Sequence, residues 1–189
     1  MGSLPPQTQM FMLGCSPELE AKIERLQARD LVMRNLFAFS AGVETTMFWD
    51  LWHNTSRRDD MMHLMFSKLK LMELEEGGLA RRPLASAFER MARALRGLQS
   101  ARRIAPETDP SVLVFEVLRR DRGLLYVAWQ RQDTFSGEDA PGTPFELDWK
   151  EPTCVVVGAL EAVPPFTVEN GRLSLLLSNT PVFIEAAVD

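Results

Sequence analysis

The chain has few of the residues from which disulfide or metal scaffolds are built. Its 189 residues include 2 cysteines and 2 histidines. Cys15 and Cys154 stand far apart with no CxxC pair, and His53 and His63 are the two imidazoles. Neither a structural zinc site nor a disulfide framework is therefore expected. The sequence predicts no metal site and no cofactor.

Long apolar runs are also missing. No stretch approaches the about 18 apolar residues that a membrane-spanning helix needs. Residues 1–7 lack the basic start and apolar core of a signal peptide. We therefore expect no membrane partner and, for the chain as written, a cytoplasmic location.

Positive charge is scarce in the second half. Residues 1–103 carry 15 Lys/Arg against 12 Asp/Glu, whereas residues 104–189 carry 6 against 14. Phosphate binding depends on clustered cations, so this balance argues against nucleic acid as a partner. All 10 methionines also lie at or before Met91. With two prolines in residues 105–110, these shifts predict two units, residues 1–103 and 104–189.

Two helices are predicted in the first unit. Ser16 and Pro17 supply an N-cap and a first helical residue, and three-to-four spacing of apolar residues continues to a stop at Gly42. A second apolar face runs from Leu84 to Leu95. Beyond Ser111 the period becomes that of strands, and short β-rich runs with turns between them predict an antiparallel β-sandwich. These runs are 112–118, 124–129, 145–149, 154–160, 166–169, 173–177 and 182–184.

A β-branched and aromatic run, residues 42–53, lies between the two helices and is predicted to be a strand. Its last five positions include two tryptophans, a carboxylate and an imidazole, and in α/β folds function is found where strands end. The predicted substrate-binding residues are Trp49, Asp50, Trp52 and His53. Aromatic faces there could stack on a sugar ring, while the alternative is that Trp49 is core and that Trp52 and His53 lie in a loop.

The order of several motifs is similar to one enzyme group. Residues 27–32, then 41–51 with Phe48-Trp49-Asp50-Leu51, then 82–88 resemble the seventh helix, eighth strand and eighth helix of clan A glycoside hydrolases, which are TIM barrels. Residues 171–185 resemble the closing strands of the β-sandwich that follows the barrel in several such families. The resemblance implies a fold of α/β plus all-β class, a partial TIM-barrel remnant followed by an antiparallel β-sandwich.

The resemblance also implies a carbohydrate partner for the parent enzyme, which uses two carboxylates. The chain lacks room for strands one to six, and Gly14-Cys15-Ser16 follow the segment that matches strand seven, so no catalytic residue is carried over. Glu18 and Glu44 are the nearest carboxylates. Their placement in the first helical turn and at the base of the strand favours structural roles.

Three hypotheses follow. The first is the C-terminal fragment of a glycoside hydrolase-like protein, not catalytic alone, with possible self-association through exposed barrel faces. The second is a non-catalytic carbohydrate-binding or protein-interaction module that uses the β-sandwich, where Trp129 and Trp149 mark either a binding face or the core. The third is a small enzyme built around Asp50 and His53.

Overall fold

The computed structural model describes residues 16–48, 51, 69–104, 110–160 and 162–187. Two α-helices, α1 (Pro17–Ser40) and α2 (Pro83–Ala94), are present in these ranges. The strands there, in chain order, are β1 (Met72–Glu75), β2 (Gly78–Arg81), β3 (Leu98–Ile104), β4 (Val112–Arg119), β5 (Gly123–Gln130), β6 (Thr143–Asp148), β7 (Val155–Gly158), β8 (Phe166–Glu169), β9 (Arg172–Leu177) and β10 (Val182–Glu185).

Both helices begin as local sequence dictates. The Ser16 side chain accepts a hydrogen bond from the Leu19 amide at 3.2 Å, which caps the first turn of α1. Proline occupies the start of each helix, where its missing N–H costs no hydrogen bond. Gly42, at φ +87°, follows α1 in the left-handed conformation that ends a helix. The predicted helices are thus confirmed to within a residue or two.

Three antiparallel sheets follow from the strand pairings. β1 and β2 form a hairpin in which Glu75 pairs with Gly78 at the turn. The larger sheet has the order β3-β4-β5-β10-β7, and a three-stranded sheet has the order β6-β9-β8. This mixture of helices and antiparallel sheets confirms the predicted fold class.

The described elements stack as three layers. The helices cover one face of the five-stranded sheet, where α1 and α2 contribute Val32, Leu36 and Met91 to a core with Phe115 and Trp129. The opposite face packs on the three-stranded sheet through a second core. The members of that core are buried, and include Val114, Phe145, Trp149, Leu173, Leu175 and Ile184. A large part of the apolar surface of the helices is therefore satisfied within the chain.

Strand β3 was not predicted from the sequence. It pairs with β4 along most of its length, with Ala101 opposite Val117 and Ile104 opposite Val114. A boundary between residues 103 and 104 therefore falls inside a strand of the main sheet, and the helices share a core with that sheet. The division into units 1–103 and 104–189 stays a prediction.

The predicted strand at residues 42–53 is only partly within the described ranges. Residues 43–48 form neither a helix nor a strand. The strand predicted for this part of the run is therefore wrong, because β-branched residues do not by themselves supply the neighbouring strand with which a β-strand must pair. In the described residues no helix is long and apolar enough to cross a membrane.

Candidate functional site

The predicted substrate-binding residues Trp49, Asp50, Trp52 and His53 lie outside the described residues, as does His63. Their roles stay predictions. The residues that flank Trp49 and Asp50, Phe48 and Leu51, are described. The described part of the candidate site therefore consists of the segments on either side of Trp49 and Asp50 and the residues that these segments contact.

Hydrogen bonds of the Asn35 side chain connect the segment before Trp49 to α1. Its side-chain amide donates to the Leu31 carbonyl at 2.7 Å, and its Oδ1 accepts from the Thr46 hydroxyl. Since Asn35 is buried, these bonds satisfy a group that would otherwise cost free energy. Beyond the two undescribed residues, the Leu51 carbonyl accepts from the Met72 amide at 3.0 Å. Both flanks of the predicted site are thus anchored.

Phe48 continues this anchoring with an apolar contact. Its ring packs near that of Phe88 on α2, with centroids 6.3 Å apart. Phe48 and Phe88 lie against a small buried cluster that includes Leu31, Leu71 and Leu84. These contacts hold Phe48 between the two helices. The position from which the chain continues to residue 49 is therefore fixed.

A groove of about 640 Å³ runs along α1 beside this segment; we call it the α1 groove. Its lining residues come from α1, from residues 46–48 and from the start of α2. They are Ile23, Leu26, Gln27, Asp30, Leu31, Arg34, Asn35, Ala38, Thr46, Met47, Phe48, Leu69 and Leu84. The lining is largely apolar, with a few polar groups among the helix residues, as in many ligand and protein-binding sites.

Asp30 is the one carboxyl among the described residues that line the α1 groove. Burial raises its pKa, while the guanidinium groups of Arg34 and Arg29 and the Thr134 hydroxyl oppose that rise. The Arg34 Nη2 atom lies 3.5 Å from the Asp30 carboxylate. The Oε1 atom of Gln27, another lining residue, is buried and has no hydrogen-bond partner in the described part of the chain.

The two carboxylates singled out from the sequence do not form a catalytic pair. Glu18 lies in the exposed first turn of α1. Glu44 is exposed and follows the other end of the same 24-residue helix. About 1.5 Å of rise per residue separates those ends by far more than the about 5 to 5.5 Å of a retaining glycosidase. Glu18 and Glu44 therefore do not act together as such a pair, and the structural role of each stays a prediction.

The aromatic residues of the sheets are core. Trp129 is 2% exposed and Trp149 is 5% exposed. Trp129 stacks on Phe115, and the indole nitrogen of Trp149 donates to the Thr153 carbonyl at 3.2 Å. The alternative in which these tryptophans form a carbohydrate-binding face is therefore wrong. Nearby, burial raises the pKa of the Cys154 thiol to about 11, which makes it a poor nucleophile.

A shallower hollow of about 310 Å³ lies on the three-stranded sheet; we call it the sheet hollow. Glu146, Ser174 and Thr167 stand side by side across β6, β9 and β8. Leu176, which is 48% exposed, lines it from the same face of β9 as Ser174. This site was not predicted from the sequence. Alternation along the strands nevertheless places Glu146 and Ser174 on the opposite face of the sheet from their buried neighbours.

In the described parts of the chain, no three His, Cys, Asp or Glu residues gather as metal ligands.

Comparison with known proteins identifies the fold. No protein-family model matches the sequence, and no curated protein matches it. The structure is similar to that of a family 39 glycoside hydrolase from the gut symbiont Bacteroides cellulosilyticus, with a TM-score of 0.57 and 17% sequence identity. The match covers 85% of this chain and 30% of that chain.

A second similar structure is the catalytic domain of GH30 xylanase C from Talaromyces cellulolyticus. Its TM-score is 0.48 at 15% identity, and the match covers 65% of this chain and 28% of that one. This chain thus spans less than a third of the length of either protein. The resemblance to part of a glycoside hydrolase, first indicated by the order of sequence motifs, is confirmed at the level of fold.

Proposed function

We propose that this chain is the C-terminal part of a glycoside hydrolase-like protein whose parent hydrolyses O-glycosidic bonds. The observation that carries the proposal is the match to a family 39 glycoside hydrolase over 85% of this chain but 30% of the enzyme. In this proposal α1 and α2 belong to the last units of a barrel, and the two larger sheets form the sandwich that follows it. Trp49 and Trp52 line a sugar site of the parent, with Asp50 and His53 near its hydroxyls.

The chain on its own is proposed to be non-catalytic. Glycosidases of this kind need one carboxylate to protonate the leaving group and a second to attack or to activate water. The segment that matches the seventh strand is followed by Gly14-Cys15-Ser16, which supply no such carboxylate. The described carboxylates Glu24, Glu138 and Glu185 are each engaged in ion pairs with buried arginines, which gives them a structural role.

The first prediction is that the purified chain hydrolyses no aryl glycoside. Release of nitrophenol from a panel of nitrophenyl glycosides is measured against a buffer blank and against the Asp50→Asn variant. The expected result is the same rate for all three samples. Turnover that survives purification and disappears in Asp50→Asn would instead support the small-enzyme hypothesis.

The second candidate function is carbohydrate binding without catalysis, which the sheet hollow favours. A carboxylate and two hydroxyls in a row can share hydrogen bonds with vicinal sugar hydroxyls, and the exposed Leu176 side chain on the same face offers an apolar contact. Glu146 also pairs with Arg172, with Nη1 and Oε2 2.9 Å apart and both side chains more than half exposed.

The second prediction tests this candidate with xylohexaose and cellohexaose as probes. Under the carbohydrate-binding candidate, the Leu176→Ala and Glu146→Gln variants each lose binding by about tenfold, since each removes a contact worth about 1 to 1.5 kcal/mol. Isothermal titration calorimetry provides the affinities. Glu169→Gln, on β8 but outside the hollow, is the matched control and keeps the wild-type affinity. Equal affinities for all the variants would rule the hollow out as the binding site.

A further inference from the structure

One ridge of α1 has a self-complementary order of side chains. Leu26, Asp30, Arg34 and Ala38 follow each other at four-residue spacing, and all four line the α1 groove. Residues at this spacing form a continuous ridge on a helix surface. The Arg34 side chain is 81% exposed and that of Asp30 is 26% exposed, so the middle of the ridge is accessible.

The order of these four side chains along the ridge is complementary to the same order in the reverse direction. If a second α1 lies antiparallel to the first about a twofold axis near residue 32, Asp30 faces the partner's Arg34, and Leu26 faces the partner's Ala38. Each opposite-charge contact and each large-to-small contact then occurs twice, as a twofold interface requires.

We propose that a second copy of this chain occupies the α1 groove, with the two α1 helices antiparallel and Asp30 paired with the partner's Arg34. The groove carries one acid and one base on its accessible ridge, which favours a partner with the same arrangement over one of a single charge sign. The rim adds apolar surface to be buried, since Met47 is 88% exposed and Leu69 is 38% exposed. This inference does not depend on the proposed function.

The environment of Asp30 supports the same pairing. Burial raises the pKa of the Asp30 carboxyl even though Arg34 and Arg29 oppose the rise. A further guanidinium from the partner stabilises the charged form of this partly buried carboxyl. Such charge pairs chiefly set which surfaces match and in which register, while apolar contacts supply much of the affinity.

Sedimentation velocity at micromolar concentration tests the proposal. The expected wild-type species is a dimer of the 21.4 kDa chain. Arg34→Asp places a carboxylate opposite the partner's Asp30, once on each side of the twofold axis. This repulsion should weaken the dimer by more than about tenfold. Because Arg34 is exposed, the variant should keep the wild-type circular dichroism. Arg96→Asp makes the same charge change at an exposed position after α2 and should leave the dimer unchanged.

A mixing experiment separates specific pairing from a general loss of association. Arg34→Asp carries acids at both central positions, and Asp30→Arg carries bases at both. Each variant alone should be monomeric, and an equimolar mixture should restore the dimer. If Asp30→Arg does not fold, Ala38→Glu serves as a second test, because it places an acid against the partner's Leu26 and should give a monomer. A monomeric wild type, or an Arg34→Asp variant that dimerises normally, would overturn the proposal.

Discussion

Replacement of Trp129 by alanine is expected to lower the free energy of unfolding by about 3 to 5 kcal/mol, the usual cost of removing a large buried aromatic. Trp129 is 2% exposed and stacks on Phe115 with ring centroids 5.2 Å apart. The ring of Phe37 from α1 meets Trp129 edge-on at 6.1 Å. The residue therefore joins the helical layer to the main sheet, and its loss leaves a cavity between them.

The same variant addresses the predicted division at residues 103 and 104. If the layers form one cooperative unit, the helical circular dichroism signal and the fluorescence of Trp149 fall together in urea, at a lower midpoint than without the Trp129→Ala change. Trp49→Phe and Trp52→Phe are included in each protein, so that Trp149 is the remaining tryptophan of the alanine variant. Trp129→Phe keeps an aromatic ring against Phe115 and should lose less than half as much stability. Transitions of the two signals at different urea concentrations would show that residues 104–189 fold as a separate unit.

The second large effect is expected at the contact of α1 with the 3-10 turn Ser136–Asp139. The Arg29 side chain is 1% exposed, and its Nη2 atom donates to Glu138 at 2.8 Å and to the Thr134 carbonyl at 2.8 Å. Glu138→Gln leaves this guanidinium buried without its counter-charge. Breaking a fully buried pair costs about 3 to 5 kcal/mol. Because the Glu138 side chain retains 14% exposure, we expect about 2 to 3 kcal/mol, measured by urea unfolding.

The neighbouring residue provides a matched control. Asp139 pairs with Lys22 at 3.0 Å, but its side chain is 82% exposed. Asp139→Asn makes the same charge change one residue away and should cost less than about 0.5 kcal/mol, because exposed pairs contribute little. The double variant Arg29→Met with Glu138→Gln should be more stable than Glu138→Gln alone, since it removes the stranded charge. Equal costs for Asp139→Asn and Glu138→Gln would contradict this account of Arg29.

Much of the fold could be predicted from local sequence. Ser16 with Pro17 and the stop at Gly42 placed α1, and alternating apolar residues placed the strands from β4 to β10, because caps, turns and periodicity are properties of short segments. Strand β3 was missed because most of its residues are exposed or half-exposed. Such an edge strand lacks the alternating apolar pattern, and its identity depends on pairing with β4.

The candidate site was less predictable. The α1 groove combines Asp30, Thr46 and Leu84, which are distant in sequence and meet only because α1, the following segment and α2 pack together. The ridge from Leu26 to Ala38 was visible in the sequence, but which side of α1 is buried by the sheet was not. The sheet hollow likewise requires three strands in register, which single-strand patterns do not specify.

The central claim, that this chain is the C-terminal part of a larger glycoside hydrolase-like protein, is tested most directly by sequencing the complete transcript that contains the Met1 codon. The account predicts an open reading frame that continues upstream of Met1 in frame and encodes further barrel units, one of them with an Asn-Glu pair directly after a strand. An in-frame stop codon shortly before Met1, together with a native polypeptide of 21.4 kDa, would contradict it.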